Sequence, residues 1–361
     1  MSILISKMYI NDLQYAVKNT DIFDELKNER ILITGATGLI GSGITDLLLM
    51  ANWLRKLNIK IFVASRDLPR AKKRFNDFPD DFATKWITYV EYDATKPNKL
   101  DFCVDYIIHA ASNAHPRAFV ESPVDTMMCN ISGLNELLKY AKNNAIKNIL
   151  YVSSSEVYGR NDTMGSIREN EYGYLDILNS RNAYASSKRA GETLCSSYYK
   201  QFGVKSNIVR PGHIYGPTAS EEDSRVGSSF AYNAALGKNI VMKSNGKQIR
   251  SYCYVLDCAT AILTVLARGK KTEAYNISNR DSIISIKELA ELYAIEGDVN
   301  VEYKLPTDIE KASFNPMDNS SLDSTKLESL GWRGIFNPKI GTSHTISALK
   351  EKFEKCGRYC Q

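Results

Sequence analysis

The stretch Ile31 to Gly41, ILITGATGLIG, constrains this chain more tightly than any other. Four residues with the look of a buried strand, Ile31 to Thr34, run into glycines at 35, 38 and 41. Leu39, Ile40, Ile44, Leu47 and Leu48 then recur with helical period. The order is strand, tight turn, helix. The first glycine permits a turn that a side chain would block, the second lets backbone N–H groups approach a pyrophosphate, and the third lets helix and strand pack closely. The helix N-terminus, with unpaired N–H groups and the positive end of its dipole, then faces phosphates. A glycine-rich turn alone also fits α/β proteins that bind nothing there, so residues further along must decide.

At 361 residues the chain is long enough for one large domain or two moderate ones. A net charge of +5 suits an anionic ligand such as a nucleotide sugar. It is too small to argue for nucleic acid, and no run of basic and aromatic residues supports that partner. The basic cluster Arg70, Lys72, Lys73, Arg74 reads as a solvated helix face. Seven cysteines, at 103, 129, 195, 253, 258, 356 and 360, form no disulfide framework and no paired CxxC, so no metal site is expected. Reduced thiols in a cytoplasm follow, with Cys356 and Cys360 on a fraying C-terminal helix. No export signal opens the chain, and the longest apolar run, ITDLLLMANWL, is too short to span a bilayer. No membrane partner is expected.

The GxxGxxG spacing resembles that of the short-chain dehydrogenase/reductase superfamily. Residues 1–28 read as a polar N-terminal extension with helical patterning, suited to capping a sheet or to an oligomer contact. Ile59 to Ala64 forms the second strand and Asp67 to Phe75 the second helix. In NAD-binding members an acidic residue at the end of that strand bonds the ribose 2′-OH and repels a 2′-phosphate. Here the strand ends Ala64-Ser65-Arg66-Asp67, with no carboxylate directly at its end. NADP, held through Ser65 and Arg66, is therefore favoured over NAD held by Asp67. Strand three, Trp86 to Glu91, leads to Asp93 and Ala94, where the acid suits the adenine amino group. Strand four, Tyr106 to His109, leads to Ala110, Ala111 and Ser112, small residues against which a cofactor's ribose and pyrophosphate fit. His109 reads as a packed core residue.

A helix over Val124 to Asn143 and a strand over Asn148 to Ser153 bring the chain to Ser153-Ser154-Ser155-Glu156-Val157-Tyr158-Gly159. Downstream, Tyr184-Ala185-Ser186-Ser187-Lys188 opens an amphipathic helix reaching Gln201. Tyr and Lys four apart on a helix point the same way. An ammonium near a phenol lowers its pKa, which makes Tyr184 the base that takes an alcohol proton while Ser154 shares it.

Glycine turn, serine-rich strand end and Tyr-x-x-x-Lys in this order resemble an extended short-chain dehydrogenase/reductase of the nucleotide-sugar epimerase/dehydratase family, from about residue 30 to 355. The resemblance implies an α/β, Rossmann-type doubly wound parallel sheet with a smaller C-terminal substrate-binding lobe. It divides the chain into the extension, a dinucleotide domain over 29–211 with 250–278 returning to it, and a lobe over 212–249 and 279–361. It also implies that Gly35, Thr37, Gly38, Leu39, Ile40 and Gly41 hold the cofactor with Tyr184 and Lys188. Arg210-Pro211-Gly212-His213-Ile214-Tyr215-Gly216-Pro217 resembles the family's R-x-x-N-x-Y-G-P, with His213 where an asparagine contacts the substrate pyrophosphate. Arg250 to Asp257 resembles R-x-aromatic-x-aromatic-V-x-D, implying that Arg250 binds the nucleotide diphosphate. Asp257 is expected to N-cap the helix Cys258 to Ala267. The family's usual homodimer would use the helices at Val124 to Asn143 and Tyr184 to Gln201.

The residues beside the serine bear on the reaction that follows C4 oxidation. Relatives that eliminate water resemble T-D-E, the aspartic acid protonating the leaving hydroxyl and the glutamate removing the C5 proton. Relatives that decarboxylate a nucleotide-bound glucuronate resemble T-S-E. Ser154-Ser155-Glu156 looks closest to the second, a UDP-glucuronate decarboxylase-type enzyme. A 4-epimerase, a 4,6-dehydratase and an NADPH-dependent 4-keto-sugar reductase stay open as alternatives. A catalytically silent dinucleotide-binding scaffold is the reading of another class, and the complete Ser, Tyr and Lys set speaks against it.

Overall fold

The computed structural model describes residues 2–78, 82–114, 119, 121–161, 165–307 and 317–357. In chain order it runs α1 (Lys7–Lys18), β1 (Arg30–Thr34), α2 (Leu39–Arg55), β2 (Lys60–Ser65), α3 (Leu68–Phe75), α4 (Phe82–Trp86), β3 (Ile87–Glu91) and β4 (Tyr106–His109). Next come α5 (Pro123–Asn143), β5 (Asn148–Val152), α6 (Ala183–Phe202), β6 (Ser206–Pro211), β7 (His213–Tyr215), α7 (Val226–Ala235), β8 (Ile240–Met242) and β9 (Ile249–Tyr254). The chain continues with α8 (Val255–Arg268), β10 (Ala274–Ile277), β11 (Ile283–Ser285), α9 (Ile286–Gly297), β12 (Val301–Tyr303), β13 (Asn319–Ser320), α10 (Thr325–Glu328) and α11 (Pro338–Lys355).

Seven strands form one parallel sheet in the order β10-β6-β5-β4-β1-β2-β3. Strands covered on both faces read as continuous apolar runs, and β5, Asn-Ile-Leu-Tyr-Val, is buried at every position. Alternation still sorts the side chains. Ile31 and Ile33 join the core built with α2 and α8, whereas Leu32 between them joins the core built with α5 and α6. Strand order reverses between β1 and β4, the place where open α/β sheets leave a crevice for ligands. Beyond the main sheet, β9 lies between β11 and β13 and also pairs with β7, and β8 pairs with β12.

Residues before β1 are built into the core. Leu13, Ala16 and Val17 of α1 have no exposed surface. The helix starts at Ser6, whose hydroxyl accepts from the Tyr9 N–H at 3.1 Å. Its polar residues find buried partners far away in sequence. Tyr9 donates to Asp46 of α2 at 2.9 Å, and Asp12 accepts from Tyr254 and pairs with His344 of α11, both at 2.7 Å.

Two expectations need correction. Arg74 does not belong to a solvated face: it turns inward and pairs with the fully buried Asp46, with a further bond to the Ser2 hydroxyl at 3.0 Å. Asp257 is not the N-cap of its helix, which begins two residues earlier at Val255 with Tyr254 in the cap position. Its buried carboxylate accepts instead from the backbone N–H groups of Ile335 and Phe336, at 2.9 and 3.1 Å, and from Asn279. Burial is the larger influence and pushes the Asp257 carboxyl up to about 7 despite those bonds.

Among the described residues no helix is long and apolar enough to cross a membrane, and no group of His, Cys, Asp and Glu is arranged to hold a metal. Cys129, Cys195, Cys253 and Cys258 are buried free thiols, Cys103 and Cys356 are exposed free thiols, and Cys360 lies outside the described residues. Removing one member of a buried ion pair strands the other, at about 3–5 kcal/mol. Asp46→Ala and Arg74→Met, each of which strands the other member, are therefore both expected to lower unfolding free energy by about that amount in urea titration.

Candidate active site

The glycine turn closes because three backbone segments touch. Gly35 has φ +67°, and a Cβ there would lie 2.7 Å from the Ala111 nitrogen after β4. A Cβ on Gly41 would lie 2.3 Å from the Gly35 carbonyl oxygen. The ends of β1 and β4 are stitched together by Thr34. Its hydroxyl bonds His109 Nδ1 at 2.7 Å and accepts from the Ala111 N–H at 3.3 Å. Burial, then the nearby Lys188 ammonium, pushes His109 down to about 3, so it stays a neutral packed residue. Gly38 caps α2 with no side-chain bond, leaving the first amides of this 17-residue helix open at the crevice beside Thr37, Leu39 and Ile40.

The rest of the crevice suits a dinucleotide. Ala110, Ala111 and Ser112 continue β4 with small side chains, and the buried Ser112 hydroxyl has no partner in the described chain. Ala94 lies so close to α5 that a Cβ on Gly133 would meet its Cβ at 2.8 Å. Asp93 accepts from the Thr95 N–H and hydroxyl at 3.0 and 2.7 Å. Burial opposes ionisation there, but those bonds and the charges of Arg66 and Lys96 hold the carboxyl below its ordinary value. The Arg66 charge thus acts on Asp93. Asp67 caps α3, accepting from the Arg70 N–H at 2.8 Å, and Ser65 Oγ accepts from the Asp67 N–H at 3.2 Å.

At the neighbouring strand end, Ser154 caps a single 3-10 turn over Ser155–Tyr158, its oxygen accepting from the Glu156 N–H at 3.2 Å. The same hydroxyl hydrogen-bonds the Tyr184 phenol, and Ser155 follows it, partly exposed. Tyr184 and Lys188 sit one turn apart on α6, both buried. The first turn of α6 is pinned by Ser187, which donates to the Tyr184 carbonyl at 2.8 Å and accepts from Asn130 of α5 at 2.9 Å. Phe119 stacks on the Tyr184 ring at 4.4 Å between centroids. Lys188 Nζ donates to the Val152 carbonyl at 2.7 Å and lies 5.6 Å from the Tyr184 ring centroid.

Electrostatics differ from expectation here. Burial pushes the Tyr184 phenol up to about 12, outweighing the Ser154 hydrogen bond and the Arg225 charge that favour the phenolate. Lys188 does not lower it in this state: burial brings the ammonium itself down to about 8, and its proton is engaged by Val152. The bond to Val152 uses one of the three N–H groups of the ammonium and leaves two to give.

The residues read as substrate-binding lie on β7 and β9. Arg250 is buried on β9 and donates to the Ile249 carbonyl at 2.8 Å; burial lowers its pKa, and Tyr252, Glu156 and Asp318 oppose that. His213 pairs in register with Tyr252, its ring 5.7 Å away, and its buried Nδ1 has no partner in the described chain. Burial, then Arg250 and Arg225, pushes it down to about 3. Glu156 forms an ion pair with Arg181 at 3.0 Å. Arg181, Arg225 and Phe119 were not among the residues read from the sequence. Arg181 had a local signal, standing three places before Tyr184; the other two had none.

The sequence pattern of the NAD dependent epimerase/dehydratase family matches residues 31–278. The chain belongs to this family. UDP-glucuronic acid decarboxylase 6 of Arabidopsis thaliana is 30% identical over 342 residues, covering 93% of this chain and 92% of the relative. The human dTDP-D-glucose 4,6-dehydratase is 26% identical, covering 90% and 91%. Among solved structures, the dTDP-glucose 4,6-dehydratase DesIV from Streptomyces venezuelae, with NAD and TYD bound, superposes with a TM-score of 0.75 at 22% identity, covering 90% of this chain and 98% of DesIV. The mostly parallel central sheet with flanking helices is the Rossmann-type fold expected. Of the two dinucleotides, NAD is the one the family description and the DesIV structure carry, and nothing in them favours NADP.

Gly41→Ala should force the turn open against the Gly35 carbonyl. A melting temperature lowered by several degrees and NAD affinity lowered at least ~10-fold, measured by calorimetric titration, are the expected results.

Proposed function

We propose that this chain oxidises the C4 hydroxyl of a nucleotide-diphosphate sugar and decarboxylates the resulting 4-keto uronate, as a UDP-glucuronate decarboxylase-type enzyme. The observation that carries the reading is Ser155. It stands where elimination of water needs an acid, and Glu156, the one carboxylate acting on Tyr184 among the described residues, is paired with Arg181. The 30% identical decarboxylase relative, matched over nearly its whole length, supports the same choice.

NAD, when bound, accepts a hydride from C4 and returns it. Gly35, Gly38 and Gly41, with Thr37, Leu39 and Ile40, shape the pyrophosphate end of its site. Ser65, Arg66, Asp93 and Ala94 border the adenosine, and Ala110, Ala111 and Ser112 border the inner ribose. Tyr184 takes the C4 O–H proton through a bond shared with Ser154, and Lys188 turns its ammonium from the Val152 carbonyl to the ribose and the phenol. The 4-keto uronate is a β-keto acid. Breaking its C5–C6 bond releases carbon dioxide and leaves the electron pair as an enolate on the C4 oxygen. No leaving hydroxyl needs a proton. Tyr184, now protonated, and Ser154 donate to that enolate oxygen, and a proton added at C5 restores the ketone. Arg250 and His213 hold the diphosphate, with a guanidinium suited to phosphate and a neutral imidazole able to donate one bond.

The working unit is a cytoplasmic homodimer joined through α5 and α6, which carry the exposed Val124, Met128, Tyr199 and Phe202. The dinucleotide domain comprises 29–211 and 250–278, and the substrate lobe 212–249 and 279–361.

Incubation with a small panel of UDP-, dTDP-, CDP- and GDP-sugars and no added cofactor tests the reading by product mass. Loss of carbon dioxide from a nucleotide glucuronate is expected; loss of water from a neutral sugar, or an unchanged mass with altered retention, would replace it by dehydration or epimerisation. Tyr184→Phe should lower turnover ~10³-fold or more while NAD affinity stays within about twofold. Because Lys188 loses its proton near pH 8, NAD affinity should fall as pH rises through that value, and Lys188→Met should flatten the profile.

A further inference from the structure

We propose that Arg181 is a specificity-determining residue: by pairing with Glu156 it cancels the negative charge beside the sugar and so admits a nucleotide-bound uronate. This rests on the decarboxylation reading above. Glu156 belongs to the pocket that reading assigns to the sugar. Its N–H donates to the Ser154 hydroxyl, which also bonds the Tyr184 phenol, and its charge acts on both Tyr184 and Arg250. A uronate therefore brings its C6 carboxylate towards a carboxylate already present. Like charges a few ångströms apart in a partly buried pocket repel several times more strongly than in water.

Arg181 answers that charge at 3.0 Å, with side chains only 18% and 23% exposed, where water screens the pair weakly. Its position is fixed independently of Glu156. It lies in the turn Ser180–Asn182, whose start is held by the Asn179 side chain accepting from the Arg181 N–H at 3.0 Å, and that turn runs directly into α6. One local structure thus places both the cation and Tyr184. Two other cations of this side, among the described residues, have different engagements: Arg225 is bonded to both oxygens of Asp223, at 2.9 and 3.1 Å, and Arg250 is assigned to the diphosphate. A neutral hexose brings no charge to Glu156, so its binding should not depend on Arg181. That difference separates a specificity role from a merely structural one.

The test is calorimetric titration of UDP-glucuronate and UDP-glucose into the NAD-loaded full chain carrying Tyr184→Phe, which blocks turnover, alone and combined with Arg181→Gln, Glu156→Gln or both. Arg181→Gln should weaken UDP-glucuronate at least ~10-fold and leave UDP-glucose within about twofold. Adding Glu156→Gln should return UDP-glucuronate to within about threefold of the starting affinity. Equal losses for both sugars, no loss, or no recovery in the double variant would overturn the proposal. Should Arg181→Gln fail to fold, Glu156→Gln alone decides: removing the Glu156 charge should tighten UDP-glucuronate selectively, and unchanged affinity would refute it. Carbon dioxide release by the unmodified enzyme is scored separately. Its absence beside a selective binding pattern would remove the decarboxylation reading and leave Arg181 as a uronate selector.

Discussion

Everything in this molecule is arranged around the contact between the Gly35 carbonyl and Gly41. With a side chain at position 41 the start of α2 could not lie over the end of β1, and with one at position 35 the turn could not pass the backbone at Ala110 and Ala111. That close approach brings the open amides of α2 to the point where the strand order reverses. Thr34 then fastens the two diverging strands on either side of it, through His109 and Ala111. The dinucleotide crevice is thus a consequence of backbone packing before any side chain binds anything.

From that crevice the chemistry is set by distance along neighbouring strands. β5 ends one strand beyond β4, which places Ser154 beside the crevice, and α6 returns over the same edge with Tyr184 and Lys188 facing it. The buried phenol and ammonium each oppose ionisation in this environment, with Tyr184 raised to about 12 and Lys188 lowered to about 8. The desolvated phenol holds its proton until compensating charge arrives. Bound cofactor and substrate supply that charge, so proton transfer is tied to a filled site. The substrate side is built differently. Glu156 is offset by Arg181, and Arg225 by Asp223, so these two pairs are matched before a ligand enters.

What was legible in the sequence follows from the range of the interactions concerned. The glycine turn, the apolar run of β1 and the spacing of Tyr184 and Lys188 are local, and their residues declare themselves within a dozen positions. Arg74 looked solvated because its partner, Asp46, lies on another helix that only the folded sheet brings near. Asp257 looked like a cap because a carboxylate at a helix start commonly is one; its true partners, the backbone at 335 and 336, arrive from far along the chain. The anchoring of the N-terminal helix in the core was hidden for the same reason. Its apolar residues suggest a helix, but the anchors at Asp46, Tyr254 and His344 are scattered over the whole sequence. The phenol's rise was illegible for a different cause, since spacing reports the lysine but not the burial that outweighs it.

The central claim is that hydride leaves C4 and comes back to the same carbon, with the bond between C5 and C6 broken in between. It is tested most directly with UDP-glucuronate deuterated at C4 and no added cofactor, the product being examined by mass spectrometry and proton NMR. Carbon dioxide release with deuterium kept at C4 of the product pentose is the predicted result. Deuterium lost from the product, or kept at C4 with no carbon dioxide released, would contradict it.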